Sequence, residues 1–286
     1  MKIPFTKMHG LGNNYIYIDR FACNINDDWL PYLARTVSDV HTGIGSDGLI
    51  LIQPSKHADV GMRIFNKDGS EGKNCGNGLR CVAKYAYENG IVSETSFRIE
   101  TKTNIVDADV YTDAGMVPYV TINMGMPILR RSDIPMDGDD RSSVVAEPVV
   151  IDDQSLSLTA VSMGNPHAVF FVEDIRSAPV ETLGPRIETH QLFPEDVNAE
   201  FIEMISRNEL NFRVWERGSG MTQACGTGAC AAVVAAVLNE RAERGEDVTV
   251  HLDGGDLYIQ WQDHGDVLMT GGAETIASGD YHFHIT

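Results

Sequence analysis

Two cysteines, each opening a Cys-Gly-x-Gly run, are the residues of this chain best suited to chemistry: Cys75-Gly76-Asn77-Gly78 and Cys225-Gly226-Thr227-Gly228. A helical text follows each, stopped by Gly90 in the first case and by Gly245 in the second, and a glycine just past a helical run is the usual C-terminal stop. Each thiol is therefore expected at a helix N-terminus, where unpaired backbone N–H groups and the helix dipole favour negative charge. That setting lowers a thiol pKa and makes thiolate available near neutral pH. The same N–H groups can bind a carboxylate. Two such cysteines suit a paired acid and base. With a substrate carbon between them, one thiolate removes a proton from one face while the opposite thiol delivers a proton to the other, and the stereocentre inverts. The α-proton of an amino acid is a poor acid, so the site must stabilise the enolate-like charge growing on the carboxylate. Two helix N-termini aimed at that carboxylate do this, and positioning with exclusion of water contributes much of the rest.

The elements that must hold these thiols are written twice. In the first half, Tyr15 to Asp19, Leu49 to Ile52, Val60 to Phe65, Phe97 to Thr101 and Val117 to Met124 read as strands, and Trp29 to Asp39 reads as a helix. The second half answers with Ala168 to Asp174, Phe201 to Ile205, Asn211 to Trp215, Val248 to Leu252, Leu257 to Trp261 and Val267 to Thr270. Gly12-Asn13 is matched by Gly164-Asn165, and Arg63-Ile64-Phe65-Asn66-Lys67 by Arg213-Val214-Trp215-Glu216-Arg217. Each cysteine follows nine residues after Asn66 or Glu216, and the offset stays near 150. Several matched pairs at one offset indicate two homologous halves. The expected fold class is α+β: two pseudo-twofold-related domains, each a curved, mostly antiparallel sheet around one central helix, with the helix starts facing each other across a cleft. Ser132 to Pro148 reads as a connector.

The chain has 286 residues, 43% of them hydrophobic, enough to build a core in each of two domains. Its formal net charge of −19 argues against nucleic acid and anionic membrane surfaces as partners. The N-terminus lacks the apolar core of a signal peptide, and no stretch approaches the roughly 18 apolar residues of a membrane span. The longest apolar run, Ala229 to Leu238, is short and alanine-rich and reads as a buried helix. An odd count of five cysteines with no secretion signal reads as reduced thiols in the cytoplasm. The Cys-x5-Cys and Cys-x4-Cys spacings, without Cys-x2-Cys, argue against a metal site.

Other chemistries fit less well. A dithiol redox pair suits two adjacent thiols. Neither glycine run carries the Gly-Lys-Ser/Thr of a phosphate loop. A pyridoxal-phosphate racemase needs a Schiff-base lysine, and neither Lys73 nor Lys84 marks such a motif, so no cofactor is expected. Asn13 and Asn165, ordinary turn formers when single, become candidate amino or carboxylate ligands as a pair. His167 can accept a thiol proton and hold a thiolate–imidazolium pair, or be a hydrogen-bonded core histidine. Arg217 can grip a carboxylate with two parallel hydrogen bonds, or pair with Glu216 at the surface.

The chain resembles the diaminopimelate epimerases. The resemblance is carried by His9-Gly10-Leu11-Gly12-Asn13-Asn14, Gly43-Ile44-Gly45-Ser46-Asp47-Gly48, Arg63 to Glu71, Cys75 to Cys81, Met163-Gly164-Asn165-Pro166-His167, and Glu216-Arg217-Gly218-Ser219-Gly220 followed by Ala224 to Gly228. It implies cofactor-independent interconversion of LL- and meso-2,6-diaminopimelate, on the route to lysine and peptidoglycan cross-links. It implies Cys75 and Cys225 as the acid/base residues, with His167 and Glu216 tuning or assisting them. By position it assigns substrate contacts to Asn13, Asn66, Asn77, Asn165, Asn198, Glu216 and Arg217, and to the backbone at Gly76, Gly226 and Thr227. It implies a first domain of residues 1–126 plus the returning strand at 274–286, a second domain of residues 127–273, and pairing into a homodimer. Four features depart from the family pattern: Gly48 stands where some members have glutamine, Lys73-Asn74 precede the first cysteine, Gly271-Gly272-Ala273 lacks a proline, and Ala277 replaces an aromatic residue of the dimer contact. Proline racemase-like enzymes share the two-thiol mechanism but place Asp-Arg-Ser-Pro before the second cysteine, phenazine-pathway isomerases lack the cysteine pair, and loss of either cysteine would have indicated a non-catalytic binding protein.

Overall fold

The chain divides into two units, Met1–Ile122 with Thr270–Thr286, and Asn123–Met269. The structure is a computed structural model that describes residues 1–72, 75–138 and 143–284. Lys73, Asn74 and part of the connector at 132–148 lie outside the described residues.

In the first unit the order is β1 (Lys2–Gly10), β2 (Asn13–Asp19), α1 (Leu30–Ser38), β3 (Gly48–Gln53), β4 (Val60–Asn66), α2 (Gly76–Glu88), β5 (Ser96–Glu100), β6 (Ile105–Asp113) and β7 (Met116–Asn123). The second unit runs β8 (Glu147–Ile151), β9 (Gln154–Ser162), β10 (Pro166–Phe171), α3 (Val180–Glu188), β11 (Asn198–Ser206), β12 (Glu209–Glu216), the short β13 (Gly220–Met221), α4 (Gly226–Leu238), β14 (Asp247–Leu252) and β15 (Gly255–Trp261), and β16 (Val267–Gly272) begins in it and ends in the first. The last strand, β17 (Glu274–His282), joins the first unit by pairing antiparallel with β1. Both units are α+β with mostly antiparallel pairing.

Their pairings repeat. β1–β2 and β9–β10 are antiparallel, β2–β3 and β10–β11 parallel, β3–β4 and β11–β12 antiparallel, and β4–β5 and β12–β14 parallel. A parallel pair needs a crossover long enough to return to the same edge. α1 and α3 supply the first crossover in each unit, α2 and α4 the second. β8 lies against β9 as β17 lies against β1, so the final strand fills in the first unit the place that β8 fills in the second.

α1 covers one face of the first sheet, burying Leu30, Leu33 and Val37 against Ile16, Ile18, Leu49 and Leu51. α3 does the same in the second unit, with Val180, Leu183 and Ile187 against Ala168, Phe170, Ala199 and Phe201. Strands covered on both faces read as unbroken apolar runs, and Tyr15–Ile18 and Leu49–Ile52 are buried throughout. α4 is buried from Ala229 to Ala236, as expected of a helix apolar all round. α2 holds two buried cations, each with a partner: Lys84 Nζ lies 2.6 Å from Glu88 Oε1 and 2.9 Å from the Val117 carbonyl, and Arg80 Nε donates to the Gly272 carbonyl. Among the described residues, no helix is long and apolar enough to cross a membrane.

The second central helix stops earlier than its text suggests. It ends at Leu238 rather than running on to Gly245. The Arg241 and Ala242 amides turn back onto the Ala236 carbonyl, as those of Ile91 and Val92 turn onto Ala86 in the first unit. Gly90 makes the first stop in the left-handed region at φ +69°, and Glu240, 150 positions later, makes the second at φ +59°. A side chain there costs about 1–2 kcal/mol, less the entropy glycine loses on folding. Glu240→Gly is therefore expected to raise unfolding free energy by about 0.5–1 kcal/mol, and Gly90→Ala to lower it by about 1 kcal/mol although the space beside it is open. Chemical denaturation of both variants checks this, and a destabilised Glu240→Gly would contradict it.

Candidate active site

Each sulfur caps the helix that follows it. Cys75 and Cys225 are the N-cap residues of α2 and α4, with extended backbones at φ −153°, ψ 107° and φ −119°, ψ 104°. Their sulfurs accept the third amide of the helix, Gly78 N–H and Gly228 N–H, both at 3.4 Å. This N-cap geometry, normally served by Ser, Thr, Asp or Asn, is where the paired motifs were expected to put them.

In the first unit Cys75 is half-buried and donates S–H to Asn13 Oδ1 at 3.5 Å. Asn13 is oriented from behind, because its Nδ2 donates to Asp47 Oδ2 at 3.0 Å. The Tyr15 phenol also reaches Asn13 and Cys75, and burial first, with the charges of Cys75 and Asp47 adding to it, holds it well above the usual phenol range, so it stays neutral. Gly76 and Asn77 are buried in the first turn of α2. Asn66 is exposed at the end of β4, where its side chain donates to Ser70 Oγ.

The second unit surrounds Cys225 with more ionisable groups. Cys225 is 5% exposed and lies 3.6 Å from Thr227 Oγ1. Thr227 accepts from Asn165 Nδ2 at 3.3 Å, and Asn165 Oδ1 lies 3.0 Å from His167 Nε2. His167 Nδ1 is 2.6 Å from Glu200 Oε1, and both side chains are wholly buried. Glu216, at the end of β12, accepts from the Thr222 hydroxyl and lies close enough to the Cys225 thiol for each to shift the other's proton affinity. Asn198 ties the backbone together, accepting Arg217 N–H at 2.9 Å and donating to the Pro166 carbonyl at 2.8 Å. Arg217 is exposed and its guanidinium donates to the Glu195 carbonyl at 2.7 Å rather than to Glu216. Cys225, Gly226, Thr227, Asn165, His167 and Glu216 thus form one cluster, with Asn198 and Arg217 at its edge.

The expectation that a helix start lowers the thiol pKa fails at Cys225. Burial pushes this thiol well above its ordinary range, the Glu216 carboxylate pushes it further, and the Thr227 and Gly228 donors only partly offset them. Burial likewise raises Glu216, against the lowering contacts of Thr222 and Cys225. His167 is pushed down to about 3 by burial, Glu216 opposing and Arg217 assisting, so its ring is neutral at pH 7. Four groups here were not singled out from sequence: Tyr15, Asp47, Glu200 and Thr222. The repeat points to the first, because Tyr15 stands to Asn13 as His167 stands to Asn165.

The fold itself is shared with solved structures of low sequence identity. A probable proline racemase from Agrobacterium radiobacter matches with a TM-score of 0.73 at 16% identity, covering 99% of this chain and 93% of that one. A hydroxyproline epimerase from Agrobacterium vitis matches at 0.70 and 15%, covering 98% and 91%, and a phenazine biosynthesis PhzF-family protein from Bacillus anthracis at 0.70 and 14%, covering 99% and 100%. The chain has the duplicated α+β fold of that group. Within it, the diaminopimelate epimerase family model matches residues 5–129 and 159–276. A diaminopimelate epimerase from Oceanobacillus iheyensis is 63% identical over 283 residues, 99% of each chain, and one from Geobacillus thermodenitrificans is 63% identical over 279 residues, 98% of this chain and 96% of that one. The chain belongs to the diaminopimelate epimerase family.

The raised Cys225 pKa has a direct readout. Carbamidomethylation of Cys225, followed peptide by peptide in the absence of substrate, should be slow at pH 7 and rise roughly tenfold per pH unit to pH 9 without levelling, since only thiolate reacts. A plateau beginning near pH 7 would contradict a raised thiol pKa.

Proposed function

We propose that the chain is a cofactor-independent epimerase that interconverts LL- and meso-2,6-diaminopimelate, in the supply of lysine and peptidoglycan precursors. The observation that carries this reading is the matched pair of helix-capping thiols, Cys75 and Cys225, in a chain of this family. In this reading the substrate α-carbon sits between the two sulfurs, in a cleft between residues 1–126 with 274–286 and residues 127–273. One thiolate takes the α-proton and the other thiol returns a proton to the opposite face. Cys225, kept as S–H by its surroundings, supplies the proton in one direction. In the other it must first lose that proton, and the Glu216 carboxyl beside the sulfur is the group suited to take it.

The reacting carboxylate is held by backbone amides at Gly76, Asn77, Gly226 and Thr227 at the two helix starts, which stabilise the charge that builds on it. Asn13, Asn165 and Asn66 contact the polar ends of the substrate. Arg217, with Asn198 fixing its backbone and Glu216 beside it, takes the distal carboxylate and ammonium. A cytoplasmic location and a homodimer belong to the same reading, with Ala277 on the exposed strand β17 facing the partner; sedimentation at two concentrations tests the dimer.

LL-diaminopimelate incubated in deuterium oxide should yield meso product with deuterium at one α-carbon, and proline and histidine should remain unlabelled. Cys75→Ala and Cys225→Ala should each lower kcat at least ~10³-fold, the scale of a lost general acid or base, with the circular dichroism spectrum kept. Unlabelled product, or either variant retaining full activity, would remove the two-thiol mechanism.

A further inference from the structure

The buried carboxyl of Glu200 has no part in the proton transfers described above, yet it starts an unbroken line of polar contacts that ends on a reacting sulfur. From β11 it meets His167 on β10 at 2.6 Å, His167 meets Asn165 at 3.0 Å, Asn165 meets Thr227 at 3.3 Å, and Thr227 meets the Cys225 sulfur at 3.6 Å. We propose that Glu200 is a positioning residue that sets the direction of this hydrogen-bond chain, so that its last donor, the Thr227 hydroxyl, faces the Cys225 sulfur. This role rests on the two-thiol reading above and deepens it.

A neutral imidazole has one N–H and one lone pair, and both His167 nitrogens meet oxygen. When Glu200 carries its proton, it donates to Nδ1, and the ring hydrogen must sit on Nε2. Nε2–H then requires the Asn165 carbonyl, the Asn165 amide nitrogen turns to Thr227, and the Thr227 hydrogen is left for Cys225. When Glu200 loses that proton, the ring hydrogen moves to Nδ1 and every link reverses. The Asn165 amide turns over, its carbonyl accepts from Thr227, and the Thr227 lone pair faces a sulfur that can only donate S–H. One proton on Glu200 thus decides whether the sulfur meets a donor, which favours thiolate, or an acceptor, which favours thiol. An imidazolium–carboxylate pair would give the same direction beyond Nε2.

The surroundings keep the proton on Glu200. The charged and titratable groups facing it are His167 on β10, Glu216 on β12 and Cys225 at the start of α4, with Arg217 acting on His167 from beyond β12. Burial first and the Glu216 charge second hold its carboxyl well above the usual range. It lies directly beneath the first turn of α4: a Cβ at Gly228 would sit 3.0 Å from Glu200 Oε1 and 3.2 Å from the Cys225 sulfur. The first unit lacks the device. Its strand register puts Ile50 where Glu200 stands and Tyr15 where His167 stands. There the Asp47 carboxylate turns Asn13 so that a carbonyl, an acceptor, faces Cys75. The two sulfurs therefore meet hydrogen-bond chains of opposite direction.

The test is spectroscopic and needs no turnover. In full-length protein labelled with 15N-histidine, His167 (assigned by its loss in His167→Gln) should carry its proton on Nε2 and not on Nδ1 at pH 7. Glu200→Gln, whose amide can donate to Nδ1 with no proton to lose, should keep Nε2–H. Glu200→Leu, similar in bulk but without a donor, should slow Cys225 alkylation at pH 8 roughly three- to tenfold, about half to one unit of thiol pKa. Thr227→Val should slow it by the same factor, with no further loss in the double variant. An Nδ1–H tautomer in the wild type or in Glu200→Gln, or unchanged Cys225 alkylation in a folded Glu200→Leu, would overturn the proposal. Should Glu200→Leu not fold, the tautomer in the wild type and in Glu200→Gln decides it. Absence of diaminopimelate turnover together with the expected tautomer and alkylation factors would overturn the function and leave the direction of the chain supported.

Discussion

The rest of this structure depends on a sulfur accepting a backbone amide at a helix start. That bond, 3.4 Å long in both units, explains why each motif is Cys-Gly-x-Gly rather than cysteine alone. The amide that reaches the sulfur belongs to the second glycine, and a side chain on either of these glycines would press into its neighbours. A Cβ at Gly78 would lie 2.6 Å from Ile50 Cδ1, and one at Gly228 3.0 Å from Glu200 and from Phe212. That packing and the amide contact together hold the sulfur at the helix start. The crossovers from β4 to β5 and from β12 to β14 then tie each helix start to the same place in its own sheet.

The two halves share this frame but differ in what surrounds the sulfur. A helix terminus favours a negative charge by about 0.3–1 kcal/mol at exposed sites and by up to about 2 kcal/mol in partly buried ones. Full burial moves an acidic group upward by as much as about 3–5 pKa units, at about 1.4 kcal/mol per unit. Burial therefore wins at Cys225, and the Glu216 carboxylate adds to it. The helix start is better understood there as the device that fixes the sulfur than as the one that ionises the thiol. Polar groups such as Thr227 then decide how far the rise is offset.

The duplicated order, the two capped cysteines and the first crossover helix were legible because they rest on apolar periodicity and glycine punctuation. Other elements were hidden for identifiable reasons. α3 carries Gly184-Pro185 in its middle, a pair that ordinarily reads as a break; Gly184 is there because a Cβ would strike Trp215 at 2.5 Å. The end of α4 was misplaced because Glu240 occupies a left-handed position that usually signals itself by glycine. β17 was expected only through the family resemblance, because it is exposed along nearly its whole length and has no apolar stripe, and its pairing with β1 joins opposite ends of the chain. β6 did show an alternating text, with Val106, Ala108 and Val110 turned inward, and it needed only to be taken as strand. Glu200 was masked because a single carboxyl inside Asn198-Ala199-Glu200-Phe201-Ile202 looks like the outward residue of a strand, whereas both faces of β11 are covered there.

Everything chemical in this account requires the two capped sulfurs to meet at one carbon atom. Mild oxidation of the substrate-free protein, followed by peptide mapping without reduction, measures this directly, because a disulfide forms only when Cα atoms come within about 7 Å. A Cys75–Cys225 linked peptide should appear as activity falls and disappear as thiol reductant restores it. Loss of activity with both cysteines oxidised separately, and no linked peptide at any stage, would contradict the account.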